Sequence, residues 1–385
     1  MIIPGIDTLT LILSAAVLVL ALITPMLSPL FRRLKPSEEY SPESSSTTTP
    51  PVTVLLVSNG DHKALDEHLP LYLTQEYASG YEVIVVVEKA DTEAENVLKR
   101  YSYDKKLYHT FVPESSRYMS KNKLAITLGV KAARNEWIIL TDPRCKPSDS
   151  HWLESLAPHF TAGTSLVLGY SNYTSESRQF HRFERLHRTL YLLRSAQNGT
   201  AYRTNCQHVS FRKSEYMERN GFLEYLKFSI GEYDFLVNKF GKQGRTAVAT
   251  YESTWLWENP VSDKTWQNRQ VYYHEVGRHL DGGSWLRILR AIDSWAMHLC
   301  YIACIAAAIY AGFTSRWILL GVSVFSLLLT MILRSLIGKK AIKEFKADIP
   351  AWKIPFLELG LSRNAFLTRM RYEYADKNDF LSHKV

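Results

Sequence analysis

Three apolar runs of near-bilayer length constrain this 385-residue chain more than any other feature. They extend from about Leu9 to Phe31, from Trp295 to Phe313 and from Trp317 to Ile337. A hydrocarbon core takes roughly 20 apolar residues in helical form, because each backbone N–H and C=O must find its partner within the segment. Three membrane helices are therefore expected, one near the amino end and a pair toward the carboxyl end. Pro25 and Pro29 interrupt only the end of the first run, and Arg32, Arg33 and Lys35 follow it rather than precede it. That order reads as an uncleaved anchor, not a signal peptide.

Charge orients the three spans. Met1 to Thr10 carries no Lys or Arg, Arg287 and Arg290 precede the second span, and Arg334, Lys339, Lys340 and Lys343 follow the third. Only Arg316 lies between the second and third. The positive-inside rule places the amino terminus outside and the long middle region and tail in the cytosol, with a bacterial inner (plasma) membrane the expected location. Asn172-Tyr173-Thr174 and Asn198-Gly199-Thr200 are then chance sequons. The net charge of +8 is spread along the chain and flanks apolar runs, which fits a lipid bilayer and argues against nucleic acid as a partner. Four cysteines without CxxC spacing indicate neither a disulfide framework nor a zinc pair.

These features divide the chain into an anchor at 1–35, a Ser/Thr/Pro linker at 36–51, a soluble domain at 52–280, an interfacial helix at 281–294, two membrane helices at 295–337 and a partly interfacial tail at 338–385. The interfacial helix is read from Trp285, Leu286, Ile288, Leu289 and Ile292 alternating with Arg287, Arg290 and Asp293. From Val52 the soluble part alternates strand and helix. Strands are expected at Val52–Val57, Glu82–Val87, Leu107–Phe111 and Trp137–Leu140, and helices at Leu65–Gln75, Glu93–Tyr101 and Asn122–Ala133. Such alternation predicts an α/β domain with a mostly parallel sheet and right-handed crossovers. No GxGxxG or GxxxxGK[ST] follows any of these strands.

The chemistry-bearing residues sit where those strands end. Trp137-Ile138-Ile139-Leu140-Thr141-Asp142-Pro143-Arg144 delivers a carboxylate to the carboxyl edge of a buried strand, where ligands bind in open α/β sheets. Earlier strand ends carry Ser58-Asn59-Gly60-Asp61 and Glu88 with Asp91, and a helix opens at Ser120-Lys121-Asn122-Lys123. Farther on come Cys206-Gln207-His208, Gly231-Glu232-Tyr233-Asp234 and Trp266-Gln267-Asn268-Arg269. Plainer readings stand beside these: Asp142 as a helix cap, Glu88 and Asp91 as turn acids, Lys123 as a solvent-facing helix start, Glu232 and Asp234 as a solvated pair. The segment Arg178 to Arg194 reads as an amphipathic helix covering the core, with Arg182, Arg185 and Arg188 on its polar face.

In order and kind, these segments resemble the family 2 inverting glycosyltransferases of GT-A fold, over about Val52 to Leu280. The resemblance implies a nucleotide-sugar donor held by Ser58, Glu88, Asp91, Lys123, Asp142 and Arg144. It implies Glu232 or Asp234 as the base that deprotonates the acceptor, and His208, Gln267 and Arg269 on the acceptor side. Three departures accompany it. Arg144 replaces the second Asp of the family's Asp-x-Asp, Tyr233 holds the place of the usual Asp with Asp234 one residue later, and Gln267 and Arg269 depart from Gln-x-x-Arg-Trp spacing. The implied divalent cofactor, Mg²⁺ or Mn²⁺, would have Asp142 alone from that motif; Arg144 offers instead a guanidinium able to pair with phosphate. The resemblance thus implies a membrane-anchored hexosyltransferase-like enzyme acting on a lipid-linked or membrane-proximal glycan of the cell envelope. The departures keep open a catalytically degenerate membrane scaffold or partner subunit, and the spacing argues against a processive synthase.

Overall fold

The computed structural model describes residues 7–32, 34–35, 49–113, 119–241 and 245–381. Most of the expected linker, Arg33, and Ser116 to Tyr118 lie outside these residues. Along the chain, helix α1 (Thr8–Ile23) is followed by strand β1 (Val52–Val57), α2 (His62–Leu73), β2 (Tyr81–Glu88), α3 (Thr92–Arg100), β3 (Leu107–Val112), α4 (Lys121–Ala132) and β4 (Trp137–Thr141). Then come β5 (Cys145–Pro147), α5 (Trp152–Leu156), β6 (Leu166–Leu168), β7 (Ser171–Tyr173), α6 (Gln179–Gln197), β8 (His208–Arg212) and α7 (Lys213–Glu218). Next are α8 (Glu232–Phe240), β9 (Thr246–Val248), β10 (Leu256–Glu258), α9 (Asp263–Val276), α10 (Ser284–Phe313), α11 (Trp317–Glu344) and α12 (Ile354–Tyr374). The chain divides into two compact units, Met1–Arg33 with Gly283–Ala365, and Leu34–Gly282 with Phe366–Val385.

The larger unit is built on a sheet of order β3-β2-β1-β4-β8-β6-β9. β3, β2, β1 and β4 run parallel, β8 is antiparallel to β4 and β6, and β9 is parallel to β6. The parallel strands are near-continuous Val/Ile/Leu runs because helices cover both faces; Val54, Leu55, Val85, Val86, Ile139 and Leu140 are fully buried. β1 is flanked by β2 on one side and β4 on the other, so successive crossovers leave in opposite directions there. The crevice this reversal opens lies beyond the carboxyl ends of β1 and β4. A second sheet, β5-β10-β7, pairs Cys145 with Glu258 and so brings Glu258 next to the Asp142–Arg144 loop.

In the smaller unit, Thr8–Leu27, Ser284–Phe313 and Trp317–Glu344 are long and apolar enough to cross a membrane. Val17 and Ala21 pack on Cys300 and Cys304, small side chains that let helices approach closely. The separate interfacial helix expected at 281–294 is instead the opening of one continuous helix, α10, 30 residues long. Gly282 and Gly283, with φ of 78° and 70°, turn the chain into it, and no Pro or Gly interrupts it before Gly312. Its Asp293 is buried, with Oδ1 3.9 Å from the Arg334 guanidinium, which also pairs with Glu358 at 2.9 Å. An internal partner network therefore supplies what lipid could not.

Candidate active site

At the β1/β4 crevice, the Asp142 carboxylate accepts from Arg144 twice, Nε at 2.8 Å and Nη2 at 2.6 Å, and from the Arg144 backbone N–H at 2.9 Å. Gln207 adds a longer contact at 3.3 Å. Asp61, at the start of α2, stands 3.6 Å from Arg144 Nε. Burial raises the Asp61 pKa, and Arg144 opposes the shift. The fork geometry of guanidinium on carboxylate is the strongest ion-pair arrangement available to side chains. Both oxygens that Asp142 could offer a metal are thus engaged. Among the described residues, no group of three or more His, Cys, Asp or Glu is placed to hold an ion. Mg²⁺ and Mn²⁺ ask for several oxygen ligands, and the donor set here does not fit them.

The other residues expected near the donor are divided by the structure. Ser58 is buried at the end of β1, and its N–H donates to Val86 O at 2.9 Å. Glu88 pairs with Lys121 at 2.5 Å, and Asp91 caps α3 by accepting from the Ala94 N–H at 3.0 Å. Lys123 does not open toward the crevice. Its side chain is fully buried, and Nζ donates to Phe228 O at 2.6 Å and Ile230 O at 3.0 Å, with Glu232 Oε1 at 3.9 Å. Burial depresses the Lys123 pKa while Glu232 raises it.

A cavity of about 240 Å³ lies between α6, α8 and α9. Glu232 heads it, as the first residue of α8 after left-handed Gly231 (φ 89°). Its Oε1 is buried and has no hydrogen-bond partner. Asp234, the other expected base, is already occupied: Oδ2 accepts from Arg203 Nη2 at 2.6 Å, and Oδ1 accepts from the Thr204 N–H at 3.0 Å. With a side chain 8% exposed, Asp234 fastens α8 to the 203–204 loop.

On α9, Trp266, Arg269, Gln270 and Tyr273 face the cavity at helical spacing, whereas Gln267 is not among its lining residues. Of the two polar α9 residues expected on the acceptor side, Arg269 faces the cavity and Gln267 does not; Gln270 stands there instead. Arg269 ion-pairs with Glu258 through Nη1, while its Nη2 is buried without a partner. Glu258, fully buried, also accepts from Arg185 Nη2 at 2.8 Å. Burial pushes its carboxyl up, but Arg269, Arg185 and Arg144 outweigh that and hold the pKa at about 2. His208 is corrected as well. It is sealed in the core against Trp152 at 5.5 Å between ring centroids, and burial carries its pKa down to about 3. A side chain so enclosed does not meet an acceptor.

Sequence reasoning did not single out Arg203 and Glu258, and it gave no site role to Asp61, at a strand end, or to Arg185 and Arg188, on a helix face. Helix α6, expected to be amphipathic, is buried almost all round. Its arginines are tolerated there because Glu184, Glu258 and Gln270 partner them. The available signal was the stripe Arg182, Arg185, Arg188 in a helix rich in apolar residues; its partner Glu258 lies far along the sequence.

A family model described as glycosyl transferase family 21 matches residues 13–359. Among solved structures, the fold is similar to that of the mannosyltransferase PcManGT from Pyrobaculum calidifontis, in complex with GDP-Man and Mn²⁺. That likeness is at 16% identity and a TM-score of 0.51, over 83% of this chain and 97% of that one. A second similarity, to S. aureus TarS 1-349, is at 11% identity and a TM-score of 0.40, over 81% of this chain and 91% of that one. No curated protein sequence matches.

Proposed function

Because the chain belongs to glycosyl transferase family 21, and is therefore an enzyme that transfers a sugar, we propose the following reaction. It moves the sugar from a nucleotide-sugar donor to a hydroxyl of a lipid-linked or membrane-proximal glycan, with inversion at the anomeric carbon. The local motifs resembled family 2; the match across the chain is to family 21. One observation carries the proposal: the Glu232 carboxylate lines the cavity with no hydrogen bond to its buried Oε1, only the Lys123 ammonium 3.9 Å away, and the cavity wall continues through Gln207 to the Asp142–Arg144 pair. The acceptor oxygen attacks the anomeric carbon as its proton passes to Glu232, and the bond to the diphosphate breaks with its electron pair going to the phosphate oxygen. Arg269, which lines the cavity, is available to that developing charge, and Arg144 and Arg185 add to the local positive field. Tyr173, Trp266 and Tyr273 also line the cavity, with Arg185 over the Tyr173 ring, Arg188 and Arg203 over Tyr273, and His181 stacked on Trp266. Sugar transfer from labelled donor, compared between the native enzyme and Glu232→Gln, tests the reading; equal rates would refute it.

The relative solved with Mn²⁺ makes a divalent ion a live question for this fold, yet here Arg144 holds both oxygens of Asp142. We expect EDTA to leave at least half of the activity. A nucleoside diphosphate at about 100 times its Kd should stabilise the protein by about 2.7 kcal/mol, with or without Mn²⁺. Loss of activity in EDTA, or a thermal shift seen only with Mn²⁺, would assign the diphosphate charge to a metal.

The domain limits and orientation follow the same reading. Helices long and apolar enough to cross a membrane tether the enzyme to a bilayer, where a lipid-linked acceptor resides. The amino terminus is expected outside and the catalytic unit in the cytosol of the inner membrane. Protease added to intact spheroplasts should leave the catalytic unit whole; its digestion would reverse the orientation.

A further inference from the structure

We infer that the carboxyl-terminal segment Tyr372–Leu381 is a positioning strap for Glu232, acting through the turn Phe228–Gly231. This rests on the reading of Glu232 as the base. The segment reaches no part of the cavity lining, so its residues are positioning residues and not catalytic ones.

The turn cannot hold its own shape. Gly231 adopts φ 89°, and a Cβ there would lie 2.7 Å from Val276 Cγ2 and 2.9 Å from Phe235 Cε2, so the chain passes tightly beneath the end of α9. Groups distant in sequence complete its hydrogen bonds from two sides. On one side the buried Lys123 ammonium takes the carbonyls of Phe228 and Ile230. On the other, the Ser229 N–H donates to Phe380 O at 2.8 Å, its hydroxyl donates to Asp379 O at 2.9 Å, and Phe228 forms an antiparallel bridge with Leu381. Glu232 follows one residue after the turn. Its carboxylate, with Oε1 3.9 Å from the same Lys123 ammonium, therefore takes its position from how firmly Phe228–Gly231 is gripped.

The strap is itself anchored on the outer face of α9. Tyr372 OH donates to Glu275 Oε2 at 2.6 Å and accepts from Arg278 Nη1 at 2.6 Å. Phe380 stacks on Tyr372 at 5.9 Å and buries with Val271, while Ile230 of the turn packs against the same cluster. One helix thus presents Arg269 and Gln270 to the cavity and Val271 and Glu275 to the strap, and Arg278 just beyond its end adds a second hold on Tyr372.

The full-length enzyme carrying Phe380→Ala, Ser229→Ala or a stop after Asp376 tests this. Because a misplacement near 1 Å costs about 100-fold in rate, kcat should fall about 10- to 100-fold. The donor KM should stay within about twofold, because the donor residues at the β1/β4 crevice are not touched. Tm should stay nearly native in Ser229→Ala, which loses one hydrogen bond, and fall in Phe380→Ala, which loses a buried ring. Phe380→Leu, which keeps the apolar anchor, should recover most of the rate. Native kcat in all three variants overturns the strap, and so does a loss of rate that merely follows a loss of folded protein. If Glu232→Gln is inactive while the strap variants are fully active, the strap alone fails. If Glu232→Gln is fully active, the base assignment fails first.

Discussion

Glu232→Gln is expected to lower kcat by roughly 10²- to 10⁴-fold, the range lost when a positioned general base is removed. The amide keeps the volume and the start of α8, so donor KM should change little, while Tm should fall modestly because the buried Lys123 loses its nearby carboxylate. A fall in kcat and kcat/KM by the same factor marks an interaction made in the transition state. Asp234→Asn provides the contrast. That carboxylate also lines the cavity but is held by Arg203 and Thr204, so its loss leaves a buried guanidinium short of its partner. The signature there is a lower Tm accompanied by a partial loss of rate. If instead Asp234→Asn abolished turnover at unchanged Tm while Glu232→Gln remained active, the two carboxylates would exchange roles.

Glu258→Gln should produce the largest loss of stability. Removing one partner of a buried ion pair costs about 3–5 kcal/mol, because the opposite charge is left uncompensated in low dielectric. Here Arg185 and Arg269 both lose that partner. At roughly 2–4 °C per kcal/mol for a domain of this size, Tm should fall by about 10 °C. Activity should fall too, since Arg269 would no longer be fixed beside the cavity. The pH dependence carries its own sign. The Glu258 pKa is about 2 in the folded protein against an ordinary 4.5, so the folded state favours the ionised form. Its contribution, about 3 kcal/mol at 1.36 kcal/mol per unit, is complete above pH 4.5 and lost as pH falls toward 2. Glu258→Gln should therefore flatten the acid limb of the stability curve over that window. A variant with native Tm and an unchanged acid limb would show that the arginines find compensation elsewhere.

Local pattern carried a great deal of the fold. The strand at Val52–Val57 matches β1 as read, and Trp137–Leu140 falls one residue short of β4, because such runs admit little but a doubly covered strand. The helix boundary at 281–294 was misread for a corresponding reason. Charges at Arg290 and Asp293 look like a polar face until Arg334, more than forty residues later, is known to stand opposite Asp293. Lys123 was read as solvent-facing or donor-facing on similar grounds. Its true partners, the carbonyls of Phe228 and Ile230, lie more than a hundred residues away.

By itself the sequence determined the helices long and apolar enough to cross a membrane, the α/β order of the 52–280 region and the carboxylates delivered to the carboxyl edge of the sheet. Each of these follows from local periodicity or from residue type at a strand end. Only the tertiary structure decided which neighbours those groups meet. It turned Arg144 onto Asp142, closed Asp234 with Arg203, sealed His208 in the core and set Glu232 at the cavity beside the buried Lys123. The physical reason is that a charged group's role depends on which opposite charges and dipoles surround it once water is removed. Those neighbours come from strands and helices far apart in the chain, brought together by the packing of the sheet.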